Sequence, residues 1–235
     1  MINYLIGRNH LRRTRFHDEK GNFVGWRRAT LHAPPALVSA VLRVALDYRP
    51  SKPWISYDAI DYLSGFLNKT SRVLEFGSGM STIWYAQHAA MVCSVEGFEP
   101  WHARVKDMLK SRGYSNVRCE YATTRDGYVH AMDDEDEDFD LIMVDGAFRL
   151  DCLRHSCKRL RTGGVLYLDN ADKESHGERG EMRQAEQFAL EFAAQQRATV
   201  TYLTDFAPTQ FFVQQGLMVH LPCQPSHGLA EGSRR

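Results

Sequence analysis

From residue 72 to residue 219 the chain alternates short apolar runs with helix-like stretches, a rhythm that admits few folds. Strand-like runs cover 72–76, 91–96, 117–121, 139–145 and 165–169. Helix-like stretches fall between them at 81–88, 100–112 and 150–160, and a long amphipathic one follows at 178–197. Such alternation predicts a parallel sheet with helices on both faces. Gly163-Gly164 reads as the turn before the fifth strand. The last two runs, 199–203 and 211–219, leave no room for a helix between them, so they are expected to pair antiparallel at the sheet edge. Ahead of the alternation, Pro34-Pro35 and the apolar residues from Leu37 to Leu46 predict a helix over 30–48 that starts at the prolines. A second helix is expected from 56 or 57 to 67. The expected organisation is an N-terminal arm and helical cap (1–70), an α/β domain (71–221) and a loose polar tail (222–235).

In an open parallel sheet, ligands bind at the carboxyl ends of the strands. Four strand ends here carry acids: Glu75, Glu96, Asp145 and Asp169-Asn170. The first strand runs into Gly77-Ser78-Gly79 and then a helix start. Glycines there allow a positive φ and a close approach of backbone N–H groups to a ligand. Glu96 lies 21 residues after Glu75, about the separation at which a second-strand acid meets the ribose of a bound nucleoside. A carboxylate suits a diol because it accepts two hydrogen bonds at once, and it would repel a 2′-phosphate. Dinucleotide and S-adenosylmethionine remain as cofactor classes. The dinucleotide fingerprint asks for a third glycine where this chain has Thr82, and Glu75 before the turn would repel a diphosphate. A sulfonium cation tolerates that acid.

The Glu75-x-Gly77-x-Gly79-x-Ser81 turn, Glu96, Asp145 and the 163–170 segment resemble those of the class I S-adenosylmethionine-dependent methyltransferases. The resemblance spans roughly 73–219, final hairpin included. It implies a doubly wound, mostly parallel seven-stranded α/β sheet with a C-terminal antiparallel hairpin. Carried over, the turn of Glu75, Gly77, Gly79 and Ser81 passes the methionine part of the cofactor. Glu96 binds the ribose, Gly97 and Phe98 lie near the adenine, and Asp145 lies beside the cofactor. The loop after Tyr121 closes the adenine pocket, although Ala122-Thr123-Thr124 lacks the usual acid.

A narrower likeness is to the metal-dependent O-methyltransferases, the catechol and macrolide-sugar types. It implies that Asp145, Asp169 and Asn170 hold Mg²⁺ or Ca²⁺, which would bind and acidify an acceptor hydroxyl. The catechol type places a lysine three residues after the fourth-strand aspartate; here that residue is Phe148, followed by Arg149. Arg149 is then a candidate to bind an anionic acceptor, and Lys173 and His176 are candidates for the acid or base. The expected activity is O-methylation of a small polar or sugar-like acceptor with a divalent metal. A metal-independent N-methyltransferase and a non-catalytic adenosyl-binding or scaffold protein stay open as alternatives.

Charge and cysteine content narrow the partners. Lysine plus arginine equals aspartate plus glutamate, 29 each, so bulk charge favours neither nucleic acid nor an anionic membrane. No apolar run is read as reaching the roughly 20 residues of a bilayer span, and the N-terminus is too arginine-rich for a secretory signal. Five cysteines without a CxxC pair suit a reduced, cytoplasmic protein. Residues 1–30 carry seven basic residues against two acids, which reads as a lid over an anionic ligand, a solvated extension or an oligomer contact. The acidic run 133–138 reads as a solvated loop rather than a metal site.

Overall fold

The computed structural model describes residues 12–173 and 181–223. The start of the basic arm, His176 and the tail from 224 onward lie outside the described residues. Seven strands form one sheet in the order β3-β2-β1-β4-β5-β7-β6. They are β1 (Arg72–Phe76), β2 (Met91–Glu96), β3 (Val117–Tyr121), β4 (Phe139–Val144), β5 (Leu160–Leu168), β6 (Thr199–Ala207) and β7 (Gln210–His220). β1 to β5 pair parallel. β7 runs antiparallel to both β5 and β6. The helices are α1 (Trp26–Leu46), α2 (Tyr57–Phe66), α3 (Met80–His88), α4 (Glu99–Ser111), α5 (Arg125–Val129), α6 (Arg149–Ser156) and α7 (Glu181–Gln196). The architecture is the doubly wound sheet with an antiparallel C-terminal hairpin that the alternation predicts.

Period-two patterning divides the core into two layers. Leu74, Phe76, Ile142, Val144, Leu166 and Leu168 pack under α5, α6 and α7. Val73, Leu141, Met143, Val165 and Tyr167 pack under α2 and α3. Glu75 falls on this second face by the same alternation and is fully buried there.

Three local expectations are corrected. The double proline does not start α1 but lies inside it, in its third turn. Pro34 and Pro35 lack the N–H groups that would pair with the Thr30 and Leu31 carbonyls, and all four residues are exposed, so water can serve those carbonyls. Gly163 is a left-handed residue (φ 74°) within β5, where pairing with β4 slips between Phe139 and Leu141; it is a bulge rather than a turn before the strand. The connection of the last hairpin is only Pro208-Thr209, because Asp205, Phe206 and Ala207 belong to β6.

α1 packs the stripe Ala29, Ala33 and Ala36 against Phe206 and Val213 of that hairpin. Counter to the sequence expectation, an 18-residue window of this 21-residue helix is apolar enough, by length and composition, to cross a bilayer (mean hydropathy 1.4); Leu31, Val38, Val41 and Leu46 face outward. Four of the six described basic residues of the arm are paired internally, and Arg13 and Arg27 are exposed. Arg12 pairs with Glu19 and Asp172, Lys20 with Glu186, and Arg28 with Asp58. Arg15 donates to the Phe211 carbonyl.

The cap is pinned to the hairpin by Asp205, which is fully buried. His32 Nδ1 lies 2.6 Å from its Oδ2, which also accepts from Asp58 N; its Oδ1 accepts from Phe206 N. Burial raises its pKa, and the His32 partner opposes that rise. Replacing Asp205 with alanine leaves these donors unpaired, and urea unfolding should show a loss of about 3 kcal/mol. A loss within experimental error would show that the cap docks without this carboxylate.

Candidate active site

β1 ends in a turn held from below. The buried Glu75 carboxylate accepts hydrogen bonds from Ser81 Oγ, from Thr82 Oγ1 (2.5 Å) and from Ser94 Oγ (2.7 Å). Thr82 Oγ1 in turn accepts from Gly79 N at 2.8 Å, closing the first turn of α3 on its side chain. Ser78 Oγ lies 2.7 Å from Ser94 Oγ, and Trp101 Nε1 donates to the Ser78 carbonyl at 2.7 Å. Thr82, which stands where a dinucleotide fold has its third glycine, therefore occupies an N–H that a pyrophosphate would need.

The two glycines of the turn differ. Gly77 is left-handed (φ 104°), and a Cβ on it would stand 2.9 Å from Gly146 N and 3.0 Å from the Asp145 carbonyl carbon. This close passage of the β1 and β4 ends requires glycine. Gly79 is extended (φ −175°), with no atom closer than 3.6 Å to such a Cβ. Its expected conformational need is not found.

Beyond the turn lies a cleft of about 420 Å³ lined by Gly77, Ser78, Glu96, Gly97, Phe98 and Asp145, together with Ala122, Thr123, Tyr128 and Phe148. Five of the expected cofactor residues thus meet: Gly77, Glu96, Gly97, Phe98 and Asp145. Glu75 and Ser81 lie beneath the turn and do not line the cleft. Glu96 Oε1 accepts from Gly97 N (2.8 Å) and Phe98 N (2.9 Å), so its own turn aims the carboxylate. Burial raises its pKa, and those two N–H groups resist the rise. Tyr128 on α5 escaped the sequence reading. An aromatic residue seven positions after β3 was its only signal. Its ring lies 5.8 Å from Phe148, and a Cβ on Gly146 would collide with its hydroxyl. Trp54 meets Arg43 (4.3 Å to the ring), and Tyr57 meets His32 and packs against the core.

The β4 and β5 ends carry the second acid pair. The register Val144↔Leu168 puts Asp145 beside Asp169 one step further on, on the same face as Glu75. Asp169 is buried; its Oδ2 accepts from Asn170 Nδ2 at 2.6 Å, while its Oδ1 has no hydrogen-bond partner. Burial and then the Asp145 charge push its pKa well up, with Arg149 and Lys173 opposing. Asn170 is left-handed (φ 55°), and its Oδ1 accepts from Lys173 Nζ. Arg149 does not present its fork to the cleft. It donates to the carbonyls of Gly146, Asp169 and Asp145 and to Asp145 Oδ1 (3.0 Å), stapling β4 to β5. The expectation that it binds an anionic acceptor gives way to this positioning role.

Burial pushes the Glu75 carboxyl from 4.5 up to about 7, against its three hydroxyl donors. The folded state therefore holds this proton more tightly than the unfolded chain does. Its contribution to stability is full below about pH 4.5 and is lost as the pH rises towards 7, on the order of 3 kcal/mol. Denaturation between pH 5 and 8 should show stability falling with pH, with a shallower slope in Glu75→Gln. An unchanged slope in that variant would assign the effect to other groups.

A sequence model of the protein-L-isoaspartate(D-aspartate) O-methyltransferase (PCMT) family matches residues 27–204. No curated protein matches the sequence. Among solved structures, the O-methyltransferase from Bacillus cereus in complex with SAH is similar. It is 18% identical with a TM-score of 0.60, over 80% of this chain and 98% of that one. TomG from Streptomyces achromogenes, an O-methyltransferase of tomaymycin synthesis solved with SAM, is 17% identical. Its TM-score is 0.58, over 81% of this chain and 90% of that one. These likenesses concern the fold, whereas the family model spans most of the sequence and the site just described. The chain belongs to the protein-L-isoaspartate(D-aspartate) O-methyltransferase family and is an S-adenosylmethionine-dependent methyltransferase.

Proposed function

We propose that this enzyme methylates an oxygen of a small polar acceptor, with the adenosyl part of S-adenosylmethionine in the cleft beside Glu96 and the acceptor over Asp145 and Asp169. The observation that carries this reading is the cleft itself. Its carboxylate is aimed by the Gly97 and Phe98 N–H groups, it is walled by Tyr128 and Phe148, and it opens at Asp145. SAM- and SAH-bound structures among the similar proteins support the cofactor.

The family name points to a carboxyl oxygen as acceptor. A carboxylate is already deprotonated at neutral pH and needs neither base nor metal, but the Asp145 carboxylate would repel it. A hydroxyl needs help to lose its proton, and two acids side by side suit that task. We therefore favour a hydroxyl acceptor, such as one on a sugar, over a carboxylate or an amine. The enzyme's share of the rate comes from holding the hydroxyl in line with the methyl group and excluding water.

Asp145, Asp169 with its unpartnered Oδ1, and Asn170 offer the oxygen donors that Mg²⁺ or Ca²⁺ takes. A bound ion would supply charge that lowers the acceptor's pKa. Arg149 would steady Asp145, and Lys173 would have to leave Asn170. A second, metal-free reading is favoured by that same lysine: Arg149 pairs with Asp145, and Lys173, bonded to Asn170, puts a second cation near Asp169.

Two measurements test this. Glu96→Ala should weaken S-adenosylhomocysteine binding by about 10- to 100-fold in calorimetry, the worth of charged hydrogen bonds to a diol; unchanged affinity would remove the cleft assignment. Methyl transfer to a panel of hydroxyl, amine and isoaspartyl-peptide acceptors, before and after chelation, separates the rest. The metal reading expects a loss restored by Mg²⁺ or Ca²⁺ in the parent enzyme but not in Asp169→Asn. A rate that survives chelation supports Lys173 instead.

A further inference from the structure

We infer that His130, Asp133 and His155 form a binding site for a borderline divalent ion of the zinc class, on the surface behind the wall of the cofactor cleft. His130 is the C-terminal cap of α5, His155 lies on α6, and Asp133 lies in the loop that leads into β4. The turn that carries His130 and Asp133 therefore meets α6 at one carboxylate. His130 Nδ1 is 2.6 Å from Asp133 Oδ2, and His155 Nε2 is 2.5 Å from Asp133 Oδ1. The potential ligand atoms all lie within 4.8 Å of one another. The two imidazole rings stand 4.1 Å apart, centroid to centroid, at 66°.

The chemistry of this donor set selects the ion. Two imidazoles and one carboxylate suit zinc and its neighbours far better than Mg²⁺ or Ca²⁺, which prefer all-oxygen shells. Ligands at about 2.0–2.2 Å from a tetrahedral zinc ion lie over 3 Å from each other. Entry of the ion therefore needs the Asp133 carboxylate to retreat by about 1 Å and the two ring protons to leave. Such a shift is small for a half-exposed side chain. A fourth position would remain for water, because the described residues supply three ligands. Asp126 Oδ1 lies 3.7 Å from His130 Nε2, the nitrogen that would face away from the ion, and would have to close in to bond it. Metal-bound histidines commonly direct their second nitrogen at a carboxylate.

The site is independent of Asp145, Asp169 and Asn170, and its place in the fold gives it a consequence. α5 carries Tyr128, and α6 begins directly after Phe148; these two residues pack together on the wall of the cleft. An ion at His130 and His155 would add a coordination cross-link between α5 and α6, beside the Arg125–Asp151 pair and the His130–His155 ring contact. Binding there would brace the cofactor wall from behind without touching the cofactor.

The test uses untagged, chelator-treated, full-length protein carrying Cys223→Ser, which removes the exposed thiol. Titration with Zn²⁺ should show one ion per chain, a Co²⁺ replacement should give the intense visible bands of a tetrahedral site, and Mg²⁺ should not compete. At zinc 100-fold above its Kd, the melting temperature should rise by roughly 5 °C. His130→Ala and His155→Ala should each weaken binding at least tenfold while S-adenosylhomocysteine binding and circular dichroism stay as in the parent. Asp169→Asn should retain the zinc site. The inference is overturned if zinc fails to bind, or if binding persists in the double histidine variant or is lost in Asp169→Asn.

Discussion

A single buried carboxylate organises the cofactor end of this molecule. Glu75 has no exposure, yet it gathers hydroxyls from Ser81 and Thr82 on α3 and from Ser94 on β2. An uncompensated charge at such a depth is costly, so three donors and a raised pKa appear together. What this arrangement secures is the direction of the chain after β1. Thr82 returns a hydrogen bond to Gly79 N, Trp101 clamps the Ser78 carbonyl, and Gly77 can then pass within van der Waals reach of Gly146. The acid of the glycine turn is thus the foundation of the turn.

The parallel register extends that foundation across the sheet. Because β1, β4 and β5 are parallel neighbours, acids at their carboxyl ends fall on one face in successive positions. Proximity of Asp145 and Asp169 is thus a product of strand register, and mutual repulsion comes with it. Arg149 answers part of that repulsion through Asp145 and ties both strand ends through their carbonyls. A guanidinium is well suited to the task, since its fixed fork can serve several acceptors at once.

Much of this was legible in the residues. The βα alternation, the closing hairpin and the acids at four strand ends follow from hydrophobic period and strand length, which are local properties. Glu96 was legible because its distance from Glu75 counts one βαβ crossover. The parts that were not legible depend on contacts between distant segments. Nothing local shows that Arg149 turns to carbonyls of β4 and β5 instead of the cleft. Pro34-Pro35 reads as a helix start from propensity alone, and only an exposed face lets α1 continue through it. Tyr128 was missed because a five-residue helix gives no periodic signal. The run 133–138 read as solvent-facing acids, and the meeting of Asp133 with His155 depends on how α6 packs beside the turn after α5.

The basic arm shows how far such long-range dependence reaches. As composition it suggested a lid over an anionic ligand, a solvated extension or an oligomer contact, and part of it, Arg12 and Lys20 with Glu19, is engaged in building the acceptor side. Asp172 is fully buried and accepts from Glu19 N (3.2 Å) and Gln215 N (3.1 Å), with Arg12 at 3.6 Å. Ala171 N donates to the Gln215 carbonyl at 2.7 Å, and Arg183 donates to the Ala171 carbonyl. The turn that presents Asp169, Asn170 and Lys173 is therefore held by the N-terminal arm, by β7 and by α7 at the same point. Its left-handed Asn170 is a conformation that an isolated loop would rarely hold, and these anchors supply the restraint. Elements that look peripheral in sequence thus set the geometry at which an acceptor oxygen would meet the methyl group.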